Sequence, residues 1–184
     1  MRIAVVGRGN VGGGLAARWR RAGHDVTEIG SDGGDVSAAD VVLLAVPGGK
    51  IADAFETVQG LEGKPVVDAT NFFGEGERPD GFESLAAQVK SLTGGPVAKS
   101  FNLNFAAIYD RVDAAGGRAG NIYAADDELR ETTEQLIRDA GYEPVYAGGL
   151  ENARALEDML RVLMAVNGAG LGPHVYRFAA PEDL

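Results

Sequence analysis

Gly7, Gly9 and Gly12 stand as G-x-G-x-x-G directly after the β-branched run "RIAVV" and at the start of the helical pattern "VGGGLAARWRRAG". A glycine inside a helix costs up to about 1 kcal/mol relative to alanine, so the five glycines between Gly7 and Gly14 need a return. The spacing supplies one. Gly7 permits a tight turn, Gly9 lets a pyrophosphate approach the backbone, and Gly12 allows the helix to pack closely on the strand. The helix N-terminus then offers free N–H groups and partial positive charge to the phosphates. With Arg8, Asn10 and Val11 at the intervening positions, the loop is expected to bind a dinucleotide. Gly13 and Gly14 exceed the motif, and close packing or mobility of the first helical turn is all that suggests itself for them.

Which dinucleotide depends on the end of the second strand, "DVTEIG", where an acid accepts ribose hydroxyls of NAD and a cation receives the extra phosphate of NADP. Asp32 lies 20 residues after Gly12 and suits NAD by count, whereas Gly30 and Ser31 could donate to a phosphate. Arg8 is the nearest cation in sequence, to be read either as a phosphate ligand or as a solvated surface arginine. The sequence leaves the choice between NAD and NADP open.

Ligands of open parallel sheets bind beyond the carboxyl ends of the strands. Besides the glycine loop, those ends are Ala45, Val46 and Pro47, then Asp68 to Asn71, then Phe101, Asn102, Leu103 and Asn104. Pro47 can turn the chain beside a nicotinamide. Thr70, Asn71 and Asn102 offer hydrogen bonds to its carboxamide or to a second ring, and Phe72, Phe73 and Phe105 offer flat apolar surface or simply core. His24 reads as a structural turn residue, and His174 as a surface or substrate-side residue of the C-terminal stretch. Asp53, Asp80, Glu131 and Glu134 lack metal-loop spacing and read as solvated faces; no metal site is expected.

The elements that must position these residues alternate. After the first βα unit come the strand "DVVLLAVP", apolar throughout as a central parallel strand should be, the helix "IADAFETVQGL", the strand "KPVVDATN", the helix "FESLAAQVKSL" and the strand "GPVAKSFN". "NIYAAD", the helix "DELRETTEQLIRDAG", the strand "EPVYAG" and a closing helix from "LENARALEDMLRVLMAV" complete the chain. This is an α/β, doubly wound, mostly parallel sheet in a single domain over 1–184, with a C-terminal helical segment over about 150–184. Between Gly30 and Asp40 only "SDGGDVSAAD" intervenes, too short for a further strand with its crossover. The sheet is therefore expected to be trimmed at the adenosine edge. In the closing helix, Leu156, Leu160, Leu163 and Met164 share one side, as core or a dimer interface would require.

Composition narrows the function. The 184 residues carry a formal charge of −10 and no cysteine. Disulfides and thiolate chemistry are excluded, and the negative charge disfavours nucleic acid and anionic membranes as partners. No apolar run reaches membrane-spanning length, and a cytoplasmic protein, possible as a homodimer, is expected.

The ordered set "VVGRGNVGGGLA", "ADVVLLAVP", "KPVVDATN", "AKSFN" and "GYEPVYAGGLENARALEDM" resembles, nearly end to end, the NADP oxidoreductases dependent on the deazaflavin coenzyme F-420. The first stretch is common to Rossmann folds; the last is more specific. The resemblance implies a Rossmann-like domain binding NADP and passing hydride to or from a deazaflavin or flavin-like small-molecule partner, the outer strand and helix after "GS" being deleted here. This chain departs from the family pattern at Asp32, where an arginine is usual, and in "FNLNF", where threonine usually follows "FN". Ring-to-ring hydride transfer needs orientation more than an ionised group, so no catalytic acid or base is assigned. A dinucleotide-binding or sensing protein without turnover is the alternative. A dehydrogenase of small alcohols or imines would need a large helical domain for which this chain has no room.

Overall fold

The computed structural model describes residues 1–72, 81–115 and 119–181. β1 (Arg2–Val6) leads through the glycine loop into α1 (Asn10–Arg21), which ends at Ala22 with Gly23 turning the chain at φ 91°. β2 (Asp25–Ile29), β3 (Gly34–Asp35), β4 (Val41–Leu44), α2 (Ile51–Thr57), β5 (Val58–Gln59), β6 (Val66–Asp68), α3 (Leu85–Thr93) and β7 (Val97–Lys99) follow. The chain continues through 3-10 turns at Ala106–Ala115, β8 (Gly120–Ala125), α4 (Arg130–Asp139), β9 (Glu143–Tyr146) and α5 (Ala153–Val166).

Seven strands form one sheet in the order β2-β1-β4-β6-β7-β8-β9. All neighbours are parallel except β7 and β8. Because side chains alternate across a strand, Ile3, Val5, Val41 and Leu43 join a core with Trp19, Phe101 and Leu136 on one face, while Ala4, Val6, Val42 and Leu44 join Ile51, Leu85 and Val89 on the other. β4 is buried at every position, as its unbroken apolar sequence requires. The molecule is thus a doubly wound, Rossmann-like α/β fold. No helix among the described residues is long and apolar enough to cross a membrane.

β2 is the sheet's edge. The short linker after it makes only a bridge from Gly30 to Gly33 and the two-residue strand β3, which pairs with β5 apart from the main sheet. The trimmed adenosine edge expected from linker length is present. That side ladder also stops α2 at Thr57, where the sequence pattern suggested helix through Leu61.

The surplus glycines separate in the structure. A Cβ on Gly14 would overlap the ring of Tyr109, a buried residue of the 3-10 segment, whereas a Cβ on Gly13 meets nothing closer than 3.7 Å. Gly14→Ala is expected to destabilise the fold by about 1–3 kcal/mol by overpacking. Gly13→Ala should stabilise it by about 0.5–1 kcal/mol through helix propensity. Chemical denaturation of both variants checks the contrast, and equal effects would contradict the assignment.

The closing helix continues in a π turn to Leu171 and stops there, because Gly170 and Gly172 take positive φ and Pro173 follows. Residues 172–180 have no regular structure, and Tyr176 among them lies against β8, where Gly120 N donates to Tyr176 O at 2.7 Å and Ile122 N donates to Tyr176 Oη at 3.1 Å. Of the expected helical segment over about 150–184, the described residues are helical through Leu171 and irregular over 172–180.

Candidate functional site

The carboxyl ends of β1, β4, β6 and β7 open onto a two-chambered crevice. One chamber, about 520 Å³, is bordered by Gly7, Arg8, Gly9, Gly30, Ser31, Lys50, Asp53, Ala54, Thr57 and Val58; the other, about 480 Å³, by Asn10, Val11, Asn71, the run Phe101–Ala106, Leu160 and Met164. Gly9, Ala45, Val46 and Pro47 border both and join them.

The three motif glycines have three different surroundings. Gly7 has φ 109°, and a Cβ there would overlap the Ala45 carbonyl; a Cβ on Gly12 would overlap the Gly7 carbonyl and press on Val5. Those two are required by backbone shape and by helix-to-strand packing, and Gly12 itself does not border either chamber. Gly9 is otherwise: its φ of −75° and ψ of −169° suit any residue, and a Cβ on it meets nothing within 4 Å. As the N-cap of α1 it makes no side-chain cap to the first-turn N–H groups, and Gly9, Asn10 and Val11 at that helix start border the second chamber.

In the second chamber, Asn71 Nδ2 donates to Asn102 O at 2.7 Å, and Asn102 Nδ2 lies 3.3 Å from both Asn71 Oδ1 and Leu156 O. Asn104 Nδ2 donates to Gly120 O at 3.0 Å. The side-chain oxygens of Asn102 and Asn104 are buried and have no hydrogen-bond partner. A buried acceptor left unpaired costs about 1–3 kcal/mol. Phe101, at φ 61°, is the non-glycine residue with left-handed backbone among the described residues, and its ring turns away into the core, 5.7 Å edge-on from Trp19. It borders the chamber while its ring is withheld from it. Leu103 is buried at the same wall.

Thr70 lies beneath the floor, outside both chambers. Its carbonyl and hydroxyl face Lys99 Nζ at 2.7 and 3.4 Å, so the expected contact with a ligand is replaced by an internal one. Asp32 is likewise outside the chambers, 80% exposed, with Oδ1 taking Arg8 Nη2 at 3.1 Å. Asp53, read as a solvated acid, sits at the rim and pairs with Lys50 at 2.8 Å. His24 is structural: Nε2 lies 2.8 Å from Asp139 Oδ2 and Nδ1 lies 3.3 Å from the N-terminal amine. His174 backs the chamber through its ring, 5.0 Å from that of Phe105, without lining it. Phe73 and Asp80 lie outside the described residues.

Two features escaped the sequence reading. Of the helix side expected to serve core or a dimer interface, Leu156 and Leu163 are buried and Leu160 packs partly buried against them, while Leu160 and Met164 also wall the second chamber. Lys50 also borders the first chamber, its only sequence signal being its place just after Pro47.

No family model matches the chain, and no curated protein matches it. Its fold is found among solved structures. A protein of Arthrobacter sp. FB24, provisionally called an F-420-dependent NADP-reductase, superposes with a TM-score of 0.81 at 23% identity over 97% of this chain and 99% of the other. A hypothetical protein of Sinorhizobium meliloti gives 0.66 at 27% identity over 82% and 86%. A reductive aminase from Aspergillus terreus, in complex with NADPH and ethyl levulinate, gives 0.65 at 14% identity over 92% of this chain and 62% of the other. The resemblance drawn from the motifs thus has a structural counterpart of the same description across the whole chain, and the Rossmann-like fold is common to all three.

Proposed function

We propose that the protein binds NADPH along the crevice and passes hydride between its nicotinamide and a planar deazaflavin or flavin-like ring. One observation carries the reading: the second chamber, beside the glycine loop, is lined among the described residues by asparagine, glycine, proline, alanine and other apolar side chains, and none of these described lining residues is ionisable. Oxidation of an alcohol needs a base placed within hydrogen-bond reach; hydride transfer between rings needs a dry, shaped cleft. Bound NADPH supplies the hydride, and the chain's residues orient the rings. In this reading Gly9 and the start of α1 take the pyrophosphate, and Asn71 fixes Asn102 in the wall of the chamber that takes the nicotinamide. Pro47 and Val46 form a wall. Leu160 and Met164 of α5 present the apolar surface against which the partner ring stacks. The fold shared with proteins crystallised with NADPH supports the cofactor class, and the whole-chain likeness to the Arthrobacter protein supports the partner class.

Stopped-flow mixing of the NADPH complex with oxidised deazaflavin, and separately with flavin, tests the proposal. At least one is expected to be reduced faster than without protein. Met164→Trp fills the apolar side of the chamber from an exposed position, 42% accessible, and is expected to slow transfer at least about tenfold while the NADPH dissociation constant changes little. If neither ring is reduced faster than in free solution, the catalytic reading fails and a dinucleotide-binding protein without turnover takes its place.

A further inference from the structure

We infer that Arg8 and Lys50 together form a split clasp for the 2′-phosphate of the cofactor, replacing a cation placed after β2; the inference rests on the dinucleotide reading above. The ribose of a dinucleotide in this fold lies at the carboxyl end of β2. There the sequence places Gly30, Ser31 and Asp32, and the acid turns outward, away from the chamber. Arg8 comes from the glycine loop and lies so closely over Gly30 that a Cβ on Gly30 would overlap its guanidinium. Gly30 is therefore the opening through which Arg8 reaches the strand end, beside Ser31.

Lys50 reaches the same chamber from the turn after β4. Each cation carries its own carboxylate, Asp32 at 3.1 Å and Asp53 at 2.8 Å, and all four side chains are more than half exposed. Exposed ion pairs contribute little to stability, so exchanging a carboxylate for a phosphate dianion costs the fold little. Arginine adds a fork of donors and lysine a mobile point charge. The trimmed edge gives the reason for drawing on two elements: with no strand outside β2, the phosphate has no further wall from which a cation could come. Asp32 is then the counter-ion that Arg8 gives up to the phosphate, and not an acceptor for ribose hydroxyls.

Calorimetric titration with NADPH, NADH and adenosine 2′,5′-bisphosphate, on wild type, Arg8→Ala and Lys50→Ala, tests the clasp. Wild type should prefer NADPH. Lys50→Ala should weaken NADPH and the bisphosphate about tenfold and NADH hardly at all, and Arg8→Ala should lower the NADPH-to-NADH preference at least as much. Asp53→Asn, which frees Lys50, should tighten NADPH alone. Equal affinity of wild type for NADPH and NADH, or Lys50→Ala leaving NADPH affinity within twofold, overturns the clasp while leaving dinucleotide binding intact. Failure of both dinucleotides to bind wild type removes the broader reading with it.

Discussion

Gly9→Val is expected to weaken NADPH binding at least about a hundredfold while the protein stays folded. The backbone at Gly9, φ −75° and ψ −169°, is open to any residue, and a Cβ there meets nothing of the protein within 4 Å. Valine at a helix N-cap is poorer than glycine, a loss of about 1 kcal/mol or less, too small to unfold a domain with two well-filled cores. The added methyl groups instead occupy the junction of the two chambers, where a pyrophosphate must approach the first turn of α1. Gly12→Val is the control, since its side chain would overlap the Gly7 carbonyl and should damage the fold itself. Fluorescence titration with NADPH beside thermal melts separates the two effects. A folded Gly9→Val protein with unchanged affinity would show that the loop is only a tight βα turn.

The same three glycines mark what a sequence can disclose. Gly7 and Gly12 are legible because a positive φ at the one and the Gly7 carbonyl beside the other give each a reason within a few residues, whereas nothing in the protein itself crowds Gly9. Gly14 was not legible, since its reason is the ring of Tyr109, delivered by a 3-10 segment with no periodic pattern to announce it. The trimmed edge could be counted from linker length. The direction of Asp32 could not, because spacing from Gly12 fixes a position and not the side a carboxylate faces; the structure leaves it 80% exposed, paired with Arg8. Leu160 and Met164 share an apolar helix side with Leu156 and Leu163, and only the angle at which α5 meets the strand ends decides which of them face core and which face the cleft. Thr70 looked available at a strand end because its partner Lys99 belongs to another strand.

That lysine makes the largest stability prediction. Lys99 and Asp68 are fully buried and Glu157 is 5% exposed. Lys99 Nζ lies 2.8 Å from Asp68 Oδ2, 2.7 Å from Thr70 O and 3.3 Å from Glu157 Oε1. Glu157 also accepts from the Leu85 and Ala86 N–H groups, each at 3.2 Å, at the open first turn of α3. One cation thus ties β6, β7, α3 and α5 together beneath the floor of the second chamber. Replacing a complete buried cluster by apolar groups can be neutral, but removing one partner strands the others. Lys99→Met should therefore cost about 3–5 kcal/mol in denaturant unfolding, whereas Glu157→Gln, which keeps one of the two acceptor oxygens and leaves Asp68 to balance Lys99, should cost about 1–3 kcal/mol. Because α5 carries Glu157 one turn before Leu160, the milder variant should also loosen the apolar wall. Its hydride transfer is expected to slow before its NADPH affinity falls, since the glycine loop is anchored on the other side of the sheet's switch point. A loss below about 1 kcal/mol for Lys99→Met would mean that the cluster does not hold the wall, and the position of α5 would then have to be set by Leu156 and Leu163 packing alone.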